Sequence, residues 1–83
     1  MKYLVAELTA KAIKAWYENH QICIKLSDER EIRFPVHKNR ILKNASVDKV
    51  SEIEIICDGT GLHWPELDED LSVTGILEGR FGS

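Results

Sequence analysis

The chain has 83 residues, 43% hydrophobic and 30% charged, with 14 acidic against 11 basic side chains and a formal net charge of −3. That length leaves room for one core and none for a second domain, and the mix is that of a globular chain. The acidic balance argues against a free nucleic-acid binder, which needs a basic face to release phosphate counterions.

Residues 2–10 (KYLVAELTA) put Tyr3, Leu4 and Leu8 at helical spacing, and residues 1–10 are read as a helical N-terminal extension. A strand is the alternative that Tyr, Val and Thr allow. One lysine followed by a short apolar patch and Glu7 is not the build of a secretory signal. From Lys11 the period shortens. Ile13, Ala15 and Tyr17 alternate with Lys14, Trp16 and Glu18, as in a half-buried strand. Asn19-His20 supplies turn chemistry, and Ile22, Ile24 and Leu26 then alternate with Cys23 and Lys25. After Ser27-Asp28-Glu29-Arg30 a third run carries Ile32, Phe34 and Val36, with Pro35 marking an edge or an end. These strands form an antiparallel meander.

Residues 38–52 change character. Ile41, Leu42 and Ala45 lie about one helical turn apart, and Ser46 is an N-cap for a second turn over 47–52. Ile53, Ile55 and Cys57 make a further strand, and Asp58-Gly59-Thr60-Gly61 a glycine-rich hairpin turn leading into Leu62 and Trp64. Ser72 caps a last helix with Val73, Ile76 and Leu77 on one face and Gly79 as its left-handed terminator. The expected class is α+β. Its centre is one small antiparallel sheet of about four to five short strands, a meander plus a C-terminal hairpin, with short helices on one face.

The segments KLSDEREIRFPV, LHWPELDEDLSV and GILEGRFGS together resemble a small bacterial family known as domain of unknown function 2442, over residues 11–83. Where that family has glycine in the turn after the second strand, this chain has Asp28-Glu29-Arg30. The resemblance implies a binding role and carries over no catalytic residue. It also implies a second small protein encoded alongside, in an arrangement like a toxin–antitoxin pair. Some longer relatives append a helix-turn-helix.

The densest chemistry is His63-Trp64-Pro65 with Glu66, Asp68, Glu69 and Asp70. Carboxylates just before a helix favour its positive end, so the acidic run is expected to start the last helix rather than hold a metal. Trp64 serves either as core or as an anchor for a partner, and the needs of a small core favour the former. His63 points to the opposite side, as an interface or hydrogen-bonding residue. No nucleophile motif, phosphate-cradling loop or ligand spacing accompanies these residues, so no cofactor and no metal are expected. The expectation is a non-enzymatic interaction domain, antitoxin-like, binding a small protein partner or a second copy through His63, Trp64, Glu66, Asp68, Glu69 and Asp70. An open strand edge, with Cys23 and Lys25 outward beside Trp16, is a further surface. The alternative is a nucleic-acid-binding regulator using His37, Lys38, Arg40 and Lys43. Cys23 and Cys57 lack C-x-x-C spacing, and no apolar stretch is long enough to cross a bilayer, so the expected location is cytoplasmic with no membrane partner.

Overall fold

A computed structural model describes residues 10–82; the reading of residues 1–10 as helix falls almost wholly outside them. The described residues form an α+β architecture, with six strands in two antiparallel sheets instead of the single sheet expected. The first sheet holds β1 (Ala12–Glu18), β2 (Gln21–Leu26) and β3 (Glu31–Pro35) in that order. The second holds β4 (Glu54–Ile56), β5 (Gly61–Trp64) and β6 (Glu69–Ser72), again in chain order.

In the first sheet the turns set the register. Asn19 and His20 both take positive φ, 52° and 62°, giving a two-residue hairpin whose closing pair is Glu18 with Gln21. Such a turn matches the right-handed twist of its strands, and asparagine tolerates the conformation well. Ala12 pairs with Leu26 and Lys14 with Lys25, so Ile13 is a bulge between them. The bulge breaks the expected alternation, turning Ala12 inward and leaving Ile13 60% exposed. Ile22, Ile24, Leu26 and Phe34 fill the inner face, and Pro35 closes the edge strand β3. Cys23 and Lys25 sit on the central strand and not on an open edge, and Cys23 is fully buried. Strand addition at these two residues is therefore ruled out.

Three short helices connect and close the sheets: α1 (Arg40–Lys43), α2 (Val47–Val50) and α3 (Val73–Leu77). Segments this short do not persist alone, and each begins on a side-chain cap. Asn39 Oδ1 accepts from the Ile41 and Leu42 amides, Ser46 Oγ from Lys49, and Ser72 Oγ from Gly75. Each helix buries an apolar residue, Leu42, Val50, and Val73 with Ile76, in one cluster with both sheets. Trp64, with no exposed surface, donates its indole N–H to the Val50 carbonyl at 3.0 Å and so ties β5 to α2. At Gly59, where φ is +89°, an added Cβ would lie 2.7 Å from Lys11 Cβ, so a side chain would separate β1 from the β4–β5 turn.

Candidate functional site

The acidic run does not start a helix. Trp64 pairs with Glu69 across a four-residue loop, Pro65–Asp68, in which the Leu67 amide donates to the Trp64 carbonyl and Asp68 takes φ 51°. Proline suits the second position of such a turn, and aspartate tolerates the left-handed step. Glu69 and Asp70 thus belong to β6, and Ser72 alone caps α3. The expectation of carboxylates at that helix's positive end is overturned because their strand pairs with β5.

Strand alternation then sorts the candidate residues by face. Leu62 pairs with Ile55, which on the outer strand stays 38% exposed, and with Leu71; Leu62 and Leu71 are buried on the inner side. Trp64 and Glu69 share that side. Glu69 Oε2 accepts a 2.7 Å hydrogen bond from Asn39 Nδ2, and the same amide nitrogen donates to the Phe81 carbonyl at 2.7 Å. Burial removes Trp64 from any binding surface, and Glu69 is committed to holding the fold together. The opposite face carries the row Glu54, His63, Asp70, one residue from each strand of the second sheet. Asp68, whose charge acts on His63, extends it, and Glu66 lies exposed on the same hairpin turn.

His63 Nδ1 is hydrogen-bonded to Asp70 Oδ1, with the imidazole 28% and the carboxylate 66% exposed. That bond raises the His63 pKa above its ordinary 6.5; partial burial opposes it, and the charges of Asp70, Glu54 and Asp68 add to it. The setting, with Asp70 bonded to the ring and Glu54 paired across the sheet, favours the charged form of the imidazole. Among the described residues, no three His, Cys, Asp or Glu side chains converge as metal ligands. The basic group lies elsewhere: His37 and Lys38 in a 3₁₀ turn (Val36–Lys38), Arg40 and Lys43 in α1, all exposed.

Sequence reasoning missed Asn39, the one buried polar side chain among the described residues, which joins α1, β6 and the C-terminal tail. Its signal was present, since asparagine directly before Arg40-Ile41-Leu42 is an N-cap pattern. It also missed Glu54 as the neighbour of His63, a contact that only the β4–β5 register creates.

A family model described as "Protein of unknown function (DUF2442)" matches residues 12–82. Among solved structures, the chain is similar to a protein of unknown function from Rhodospirillum rubrum, with 36% identity and a TM-score of 0.83, covering 89% of this chain and 92% of that one. It is also similar to an uncharacterised protein from Chromobacterium violaceum, with 29% identity and a TM-score of 0.80, covering 98% of this chain and 76% of that one. No curated protein matches the chain.

Proposed function

This chain belongs to the DUF2442 family, and we propose that it serves there as a non-enzymatic interaction domain, an antitoxin-like partner of a co-encoded small protein in the cytoplasm. The observation that carries the reading is the outward row of Glu54, His63 and Asp70, extended by Asp68, with Glu66 exposed on the same hairpin turn. A basic protein segment is the complementary occupant, because matched potentials speed encounter and disfavour wrong partners. The inward residues Trp64 and Glu69 stiffen the hairpin that displays the acids.

Co-expression with the adjacent reading frame and purification on a single tag tests this. Co-elution that weakens with Glu66→Lys combined with Asp68→Asn supports it; asparagine at residue 68 removes the charge and keeps a residue that tolerates positive φ. A neighbour that never co-purifies, together with charge variants that change nothing in the cell, ends it. The exposed side chains of His37, Lys38, Arg40 and Lys43 on one short segment support a second reading, contact with nucleic acid. A gel-shift titration decides that one: binding that falls steeply with salt sustains it, and no binding at low salt removes it.

A further inference from the structure

His63 is the cation-capable member of the acidic row, and it already occupies one of the carboxylates that a basic partner would seek. Three elements present acids to it: Glu54 from β4, Asp70 from β6 and Asp68 from the hairpin turn. Asp70 also lines a groove with Lys38 and Arg80, beside β6 and the C-terminal tail. The charged groups that act on the ring are therefore acids, from three different elements, and Lys38 and Arg80 share a groove with Asp70.

Building on the proposed docking role, we propose that His63 is a built-in competitor for that face. Its protonated ring holds the Asp70 carboxylate that a lysine or arginine of the partner would take, so docking of a cationic segment expels the His63 proton. The physical basis is exclusion between like charges. An incoming ammonium beside Asp70 meets the imidazolium a few ångströms away and destabilises the charged ring. Neutral imidazole lifts that repulsion and frees the carboxylate. Binding and proton release are then linked, and by reciprocity a rise in pH through the His63 titration strengthens docking. The hydrogen bond that Asp70 accepts from the ring raises the His63 pKa above its ordinary value in the free protein.

The test uses a lysine decapeptide as the probe at low ionic strength, where surface charges are least screened. Affinity is expected to rise about three- to tenfold between pH 6 and pH 8, inside the limit of about tenfold per pH unit that release of a single proton sets. His63→Gln is expected to bind with nearly constant affinity over that range. The His63 ring, followed by NMR, is expected to titrate at lower pH when the peptide is saturating. A peptide that binds but leaves the His63 midpoint unmoved, or a His63→Gln variant with an unchanged pH dependence, overturns the linkage and spares the docking reading. Failure to bind at any pH overturns both.

Discussion

Asn39 uses every polar atom it has. Its carbonyl oxygen accepts the Ile41 and Leu42 amides while its amide nitrogen serves Glu69 and the Phe81 carbonyl. Gly82 gives it room, for a Cβ there would lie 2.5 Å from Asn39 Nδ2. Asn39→Ala removes a helix cap and strands two acceptors, one a charged carboxylate, so a loss of about 3 kcal/mol is expected in urea unfolding. Asn39→Asp keeps the cap but sets a second carboxylate against Glu69, so it too should unfold at lower urea than the native protein. His63 gives a second prediction, with a definite sign. Its folded pKa is raised, so the stability from the Asp70 bond is fully present below pH 6.5 and is lost as pH rises through the folded value. Asp70→Asn should lower the His63 midpoint by NMR, and the difference in stability between the two proteins should narrow between pH 6 and pH 8. The cysteines separate cleanly as well. Cys23 is fully buried and its thiol is pushed up by that burial, whereas Cys57 is exposed. A disulfide reagent added to native protein should modify Cys57 at once and Cys23 only on unfolding.

At the scale of elements, local chemistry was legible wherever it was self-contained. The Asn19-His20 hairpin and the caps at Ser46 and Ser72 each announce themselves within four residues and stand where expected, whereas the glycine turn falls one residue earlier than 58–61, at 57–60, because Gly61 already pairs with Ile56 in β5. What escaped were choices made by tertiary register. The run Glu69-Asp70-Leu71-Ser72 looks like a polar approach to a helix, and only pairing with β5 makes it a strand. Likewise the division into two sheets follows from which strands find each other, which hydrophobic periodicity does not encode. The bulge at Ile13 has no marker in its residue type, so Ile13 was placed inside and lies outside. The turn between β2 and β3 makes the point testable. Glu29 takes φ 75° at the step where glycine is at ease, and its amide donates to the Leu26 carbonyl at 3.0 Å. Glu29→Gly relieves a left-handed side chain, at some cost in chain entropy, and thermal unfolding should show a gain of about 0.5–1 kcal/mol. An unchanged or lowered midpoint would mean that the turn already tolerates its glutamate.

At the scale of the molecule, neither sheet has enough strands to stand alone. An isolated meander of three short strands gains stability only by burying a face against something else. Here each sheet does this against the other and the helices: Ile22, Ile24, Leu26 and Phe34 from the first sheet share one apolar cluster with Leu62, Trp64 and Leu71 from the second. Phe81 from the tail stacks on Phe34 with ring centroids 4.8 Å apart, so the chain's end also packs on the first sheet. A core distributed in this way should fail as one unit. Trp64→Phe tests this, because the substituted residue sits on the second sheet and bonds the Val50 carbonyl while sharing the common cluster. It leaves a buried acceptor without its indole donor and a small cavity, and a loss of about 2 kcal/mol is expected. If the two sheets share one cooperative transition, the slowest-exchanging amides of β2 in the first sheet lose that same free energy of protection, matching the loss seen by circular dichroism. Unchanged β2 protection beside a weakened β5–β6 hairpin would instead separate the molecule into two independently unfolding halves, and would place the acidic face on the less stable one.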